Sequence, residues 1–290
     1  MRDRAYHAIV TTGRKRGLNL EQPDVLGKNK YNEQMQALEA CIDEGLIEEV
    51  HSVIKSGKEA TVYLCERRGA HGDEFVAAKV YRTTDVRRFA NDAVYRGGRM
   101  HGYEHTHAAR AMKRKRRVGR ELAFQSWVSD EYATLELLHR AGADVPAPIA
   151  QHGSVVLMEY VSDAEGQPAM VLANARLSAA QADAILRRLV WNIELMLVCD
   201  RVHGDLSAYN VLYAGGGTLR IIDFPQAVDA RFNQASRELL ERDLERVITH
   251  LVRQGATAPP VWLARSIWER FLRAKLDPAA PPPLAPVSTT

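Results

Sequence analysis

Val202-His203-Gly204-Asp205-Leu206-Ser207-Ala208-Tyr209-Asn210-Val211-Leu212-Tyr213, followed by Ile221-Ile222-Asp223-Phe224, is the stretch on which the reading of this chain turns. An apolar helix leads into a short polar loop with Asp205 and Asn210, a strand pair follows, and Asp223 closes the run Leu219-Arg220-Ile221-Ile222. Three oxygen-bearing side chains thus fall within 19 residues. Magnesium-assisted phosphoryl transfer needs such a set: one carboxylate to orient the attacking hydroxyl, an amide and a second carboxylate for the metal.

The chain has 290 residues, enough for one large domain or two lobes around a real core. Its 46% apolar and 26% charged residues exclude disorder throughout. The net charge of +3 conceals an asymmetry, because residues 82–120 carry twelve Lys or Arg against three acids. Cys41, Cys65 and Cys199 are far apart and odd in number, which speaks for a reducing compartment. The basic residues 1–17 lack the apolar core of a signal peptide, and no apolar run approaches the roughly 18 residues of a membrane span. The expectation is a cytoplasmic protein with no membrane partner.

Working outward toward the N-terminus, residues 1–30 read as a mobile arm interrupted by Gly13, Gly17, Pro23 and Gly27. From Asn32, Met35, Leu38, Ile42 and Leu46 recur at helical spacing, with a stop near Gly45. Residues 50–64 read as strand, loop, strand, with Ser56-Gly57-Lys58-Glu59-Ala60 between. Such a loop can bring backbone N–H groups against a phosphate, although a plain hairpin turn looks the same. Phe75-Val76-Ala77-Ala78-Lys79-Val80-Tyr81 is a strand with one lysine among apolar neighbours; if buried, it requires an anionic partner.

Residues 82–120 show no clean period. His101, His105 and His107 lack the carboxylate or cysteine that would complete a metal set. Lys113-Arg114-Lys115-Arg116-Arg117 reads either as a solvated helix face or as a contact for RNA phosphates. A helix over 120–140 follows, with Leu122, Trp127, Tyr132, Leu135 and Leu138 as its stripe and Glu131 within it. Val155-Val156-Leu157-Met158-Glu159-Tyr160-Val161 is a buried strand entering a hinge-like acidic connection. Ser178 with Gln181 makes a capping box for the helix that delivers the chain to the opening stretch. Helices are expected near 235–254 and 260–275, with Trp262, Ile267, Trp268 and Phe271 as packing positions, and a disordered Pro-rich tail over 277–290.

Glycine loop, lysine, helical glutamate, apolar hinge, Asp with Asn five residues on, and strand-borne Asp occur in that order. The chain resembles the RIO family of atypical serine/threonine protein kinases over roughly residues 32–255. The resemblance rests on Ser56-Gly57-Lys58-Glu59-Ala60, Ala78-Lys79-Val80-Tyr81, the charged insert, Leu157-Met158-Glu159-Tyr160, His203-Gly204-Asp205-Leu206-Ser207-x-Tyr209-Asn210 and Ile222-Asp223-x-x-Gln226-Ala227-Val228. It is closest to the first branch, because about 50 residues before the glycine loop are too few for the winged helix of the second. The resemblance implies an α+β, bilobal, protein-kinase-like fold: a β-rich N-lobe over about 31–157, a hinge over 158–170 and a mainly helical C-lobe over 171–255; the C-terminal helix expected over 256–276 lies beyond what the resemblance covers. It further implies ATP between the lobes, with Lys79 on the phosphates and paired with Glu131, and Ser56, Gly57 and Lys58 near them. Met158 would flank adenine, and the backbone of Glu159 and Val161 would meet its edge. Asp205 would orient the substrate hydroxyl, Asn210 and Asp223 would hold Mg²⁺ (or Mn²⁺), and Asp223 would also be the candidate acceptor of a phosphoryl group.

Departures from ordinary protein kinases are informative: one loop glycine rather than three, Gly204 in place of an arginine that reads a phosphorylated activation loop, and Pro225 in place of glycine. Pro225 should stiffen the segment after Asp223. Asn233-Gln234 stands where the family has His-Pro. The leading expectation is an ATP- and Mg²⁺-dependent Ser/Thr kinase that labels itself, with ATP hydrolysis through an aspartyl-phosphate as a companion activity. One rival is a small-molecule phosphotransferase of the aminoglycoside or choline kinase type, opposed by the glycine loop and the basic insert. The other is an RNA- or ribosome-binding assembly factor that uses ATP as a conformational switch.

Overall fold

The apolar spacing Met35, Leu38, Cys41 becomes a helix, α1 (Lys28–Asp43), whose buried face lies on a sheet. The computed structural model describes residues 17–18, 28–70, 72–82, 117–215, 218–278, 281–282 and 284. The three histidines and most of the basic insert lie outside the described residues, as does most of the N-terminal arm. The sheet contains β1 (Gly17–Leu18), β2 (Glu49–Ser56), β3 (Ala60–Gly69), β4 (Gly72–Tyr81), β5 (Pro148–His152) and β6 (Val155–Glu159), in the order β1-β2-β3-β4-β6-β5. Alternation along β3 and β4 buries Tyr63, Cys65, Val76, Ala78 and Val80 against α1, where Met35, Leu38 and Cys41 meet them. The same alternation turns Val62 and Lys79, which are directly paired, to the other face. Gln34 of α1 closes the polar account of this core: its Nε2 donates to Val80 O at 3.2 Å and its Oε1 accepts from Tyr63 OH at 3.2 Å.

Against the opposite face packs α2 (Arg117–Arg140), through Phe124, Trp127 and Val128 meeting Tyr81 and Val156. The C-lobe core gathers around α3 (Ala179–Val198), capped by Ser178 and Gln181 in the anticipated reciprocal pattern. Beside it lie β7 (Met170–Val171), β8 (Arg201–Val202), β9 (Val211–Gly215), β10 (Thr218–Ile221) and β11 (Val228–Asp229), with β9 pairing both β7 and β10 and β8 pairing β11. Two further helices follow, α4 (Ser236–Arg253) and α5 (Leu263–Leu272). The result is the bilobal, kinase-like α+β architecture.

Two ends of the chain differ from the sequence reading. Gly17–Leu18, placed in the mobile arm, pairs in parallel with Glu49–Val50, and α1 begins at Lys28. An exposed edge of β2 supplies unpaired backbone groups, which periodicity in the arm itself cannot reveal. Residues 282 and 284, placed in the disordered tail, rest on the C-lobe: Arg188 Nη1 donates to Pro282 O at 2.9 Å, and Leu284 packs against the core around α3.

Candidate active site

Lys79 is where the two lobes meet. Its Nζ lies 2.7 Å from Glu131 Oε1 and 2.6 Å from Asp223 Oδ1, with 12% of the side chain exposed. Burial disfavours its charge, but the carboxylates of Asp223 and Glu131 outweigh that and raise its pKa, so it stays an ammonium. Burial pushes Glu131 up, whereas Asp223 is lowered because Lys79 overrides its own desolvation. The negative charge of this trio therefore resides first on Asp223. Glu131 also accepts from Tyr81 OH and, at 3.3 Å, from Phe224 N–H. One turn earlier on α2, Trp127 Nε1 donates to Pro225 O at 3.1 Å and its ring meets Tyr81 edge-on at 4.7 Å. One helix face thus fixes both the lysine and the segment after Asp223. Asp223 itself has φ 76°, a left-handed conformation that Asp tolerates and that persists only where its surroundings enforce it.

The loop that carries Asp205 is fastened from below. His203 is buried and its pKa is lowered by that burial; its Nε2 lies 3.1 Å from Ile222 O, while Asp205 N–H donates to its Nδ1 at 3.3 Å. This neutral ring links the loop with Asp205 to the residue before Asp223. Gly204 has φ 80°, open to glycine without penalty, and its N–H donates to Asp243 Oδ2 at 2.8 Å while Arg242 donates to its carbonyl. Asp243, on α4, also accepts from Leu206 N–H at 3.1 Å. Burial pushes the Asp243 carboxyl up to about 7 despite these two donors. Asp205 Oδ1 is 2.7 Å from Arg246 Nη1, with both side chains more than two-fifths exposed. Asn210 Nδ2 donates to Asp205 O at 2.9 Å, and Ile222 N–H donates to Asn210 O at 3.0 Å, so Asn210 is tied both to the Asp205 turn and to the residue before Asp223.

The β2–β3 loop is exposed at Ser56, Gly57 and Lys58, yet it has a clamp underneath. Buried Arg82 donates to Ser56 Oγ (3.0 Å), Lys58 O (3.2 Å) and Thr61 Oγ1 (3.0 Å), and its N–H donates to Glu59 O (2.8 Å). Gly57 N–H turns back to Ala60 O at 2.9 Å, and a Cβ at Gly57 would come within 3.3 Å of that oxygen. Burial and then the charge of Asp223 push Glu59 up to about 7, with Asp205 and Glu131 acting in the same sense. The loop therefore lies over the acidic centre. At the hinge, Glu159 N–H donates to Ala147 O (2.8 Å) and Val161 O accepts from Ala169 N–H (2.9 Å), while the Glu159 carboxylate is held by Arg220 (3.1 Å). Met158 lies at the contact of two cores, that of α2 and that of α3.

A sequence profile of the RIO domain matches residues 61–261. The chain belongs to the RIO domain family. It is 33% identical over 225 residues to the RIO-type serine/threonine-protein kinase Rio1 of Haloferax volcanii, covering 77% of this chain and 70% of that protein. It is also 30% identical to Serine/threonine-protein kinase RIO1 of Chaetomium thermophilum (74% of this chain, 41% of that protein) and to its human namesake (75% and 36%). The chain therefore spans well under half the length of these two eukaryotic relatives.

Within this RIO site, Lys79, Glu131 and Asp223 are brought into direct contact, while Asp205 and Asn210 share the facing loop. The sequence reading passed over Arg82, Tyr81, Asp243 and Arg246. Asp243 left a trace, since it interrupts the apolar face Leu239, Leu240, Leu244, Val247 of α4. Arg82 and Arg246 left none, because their partners come from other elements. The donors fit a hard divalent ion: Asp223 Oδ2 and the Asn210 side-chain oxygen are the atoms beyond the Lys79 and Asp205 contacts given above, and both are oxygens. Glu49, His51 and Glu66 on the N-lobe sheet also approach one another closely, but His51 Nε2 already lies at hydrogen-bond distance, 3.0 Å, from Glu66 Oε2. Among the described residues no helix is long and apolar enough to cross a membrane.

Proposed function

We propose that this chain binds ATP with Mg²⁺ between its lobes and transfers the γ-phosphoryl group to a Ser or Thr hydroxyl, its own included. The observation that carries this reading is Lys79 held at 2.6–2.7 Å by both Glu131 and Asp223, an ammonium fixed where phosphate oxygens would displace one carboxylate contact. Mg²⁺, when bound by Asn210 and Asp223, would neutralise charge developing on the phosphates. Lys79 would hold the α/β-phosphates, and the clamp of Arg82 would keep the Gly57 loop over them. The Glu159 carbonyl and Val161 N–H would take the adenine edge, with Met158 beside the base. Asp205 would orient the attacking hydroxyl and receive its proton. Three free cysteines support a cytoplasmic, reducing setting.

Asp223 supports a second activity. Ionised through Lys79 and with 43% of its side chain exposed, it can attack the γ-phosphorus; the bond to the β–γ bridging oxygen breaks, ADP leaves, and water hydrolyses the acyl phosphate. Incubation with labelled ATP decides between these. Acid-stable label on Ser or Thr supports the kinase; hydroxylamine-labile label with free phosphate supports hydrolysis; neither product removes both. The RNA or ribosomal reading is motivated by the twelve basic residues of 82–120 alone. It predicts RNA affinity that falls steeply with salt and is lost when Lys113, Arg114, Lys115, Arg116 and Arg117 are neutralised.

A further inference from the structure

Three side chains of metal-ligand type gather at one end of the β2–β3 ladder: Glu49 and His51 on β2 and Glu66 on β3, with their ligand atoms all within 4.8 Å of one another. They lie outside the centre built on Lys79. Along β3, Glu66 pairs with Phe75 and Val62 pairs with Lys79, so the two places are four residues apart, about 13 Å at the rise of a strand.

The backbone assembles this cluster. Glu49 and Glu66 are direct cross-strand partners, on the face opposite Val50 and Cys65, which are buried against α1. The pairing shifts by one residue between Val50 and Ser52, which makes His51 the extra residue of a bulge. A bulge re-aims a side chain, and this one brings His51 Nε2 to 3.0 Å from Glu66 Oε2. Phe75 holds the imidazole edge-on, with ring centres 5.3 Å apart and planes at 81°, and Tyr160 braces Phe75 in turn at 6.3 Å. All three ligand residues are half-buried.

Negative charge is left over here. Two carboxylates placed directly opposite one another repel and weaken a strand pair. The hydrogen bond to His51 serves only Glu66, and among the described residues no Lys or Arg pairs with Glu49 or Glu66. A single divalent cation would meet all three groups and offset both carboxylates. Ligand atoms about 2.1 Å from a tetrahedral zinc ion stand about 3.4 Å apart, so His51 and Glu66 already have nearly the required span and the flexible Glu49 side chain closes in. An imidazole beside two carboxylates suits zinc better than magnesium or calcium, which take oxygen ligands. We propose that Glu49, His51 and Glu66 bind one zinc ion that clips β2 to β3, with water in the fourth position. The ion takes the place of the proton that His51 and Glu66 share. Zinc binding here is independent of the phosphoryl-transfer reading.

The test titrates zinc chloride into the full 290-residue chain without nucleotide, with Mg²⁺ in excess for the acidic centre between the lobes, and follows heat and thermal unfolding. Zinc should bind and raise the unfolding temperature, because a ligand of the folded state alone stabilises it; calcium chloride should do neither. His51→Gln and, separately, Glu49→Gln should each weaken this binding at least about tenfold and remove the rise, while Mg²⁺-dependent ATP turnover stays as in wild type. His101, His105 and His107 are the other histidines spaced closely enough to compete, and a variant with all three changed to Gln should keep the site. No zinc binding to wild type, an equal response to calcium, undiminished binding in His51→Gln, or loss of binding in the triple variant would each overturn the proposal. If His51→Gln does not fold by circular dichroism, Glu49→Gln decides, and unchanged zinc affinity there overturns the proposal equally.

Discussion

The two ends of the proposed phosphoryl-transfer site are built differently. At the nucleotide end, Lys79, Glu131, Tyr81, Trp127 and Phe224 form a buried knot in which α2 holds both the lysine and the chain after Asp223. At the hydroxyl end, Asp205 faces outward in an exposed ion pair with Arg246, while the backbone of its loop is fixed by His203, Asp243, Arg242 and Asn210. Buried charges cost much to leave unpaired, so the first end is over-determined; exposed pairs are worth little and exchange partners readily. The nucleotide end is thereby committed to one ligand geometry, while the other can admit different hydroxyl groups.

The contrast can be broken in order of severity. Asp223→Asn should lower Mg²⁺-dependent ATP turnover by on the order of 10³-fold, read as phosphate release, because the proposed metal ligand and the charged partner of Lys79 vanish together. Turnover within a few-fold of wild type would end the assignment of Asp223. Glu131→Ala leaves Lys79 and the Phe224 N–H short of an acceptor, and urea unfolding should show a loss of about 3–5 kcal/mol. A loss below 1 kcal/mol would mean that the knot is not what joins the lobes.

Asp243 offers a pH test. Its folded pKa, raised to about 7 by burial, exceeds its unfolded value, so the folded state holds the extra proton between about pH 4 and 7. Its contribution is fully present below that window and is lost as pH rises toward 7. Glu59, also raised to about 7, has the same sign. Stability from urea unfolding should therefore decline from pH 5 to pH 8, and Asp243→Asn should flatten the slope while reducing turnover, since one amide oxygen cannot serve both Gly204 and Leu206. An unaltered slope in Asp243→Asn would contradict the burial argument. The mildest change is Arg246→Gln: stability should move by less than about 1 kcal/mol, ATP hydrolysis should hold, and the KM for a protein substrate should be the parameter that shifts. Loss of ATP hydrolysis there would erase the proposed division between the ends.

Much of this was legible in order of residues. The periodicities that announce α1, α2 and α3 are local, and so is the capping box at Ser178, because helix contacts repeat within four residues. Lys79 could be read as needing an anion from its apolar neighbours alone. The clamp of Arg82 on the Gly57 loop could not, since an arginine after a strand ordinarily faces water. The arm and the tail failed for a related reason: Gly17–Leu18 is ordered by an edge it does not contain, and Pro282 by an arginine 94 residues away.

The sequence by itself determined the family, through Asp205, Asn210 and Asp223 at fixed spacing among its motifs, and with it the chemistry proposed for the site. Only the tertiary structure decided which groups share a charge. Lys79 meets Asp223 across 144 residues, Asp243 fastens Gly204 across 39, and Arg246 reaches Asp205 across 41. Electrostatic and hydrogen-bond energies depend on distance in space, which spacing along the chain constrains only within a single element.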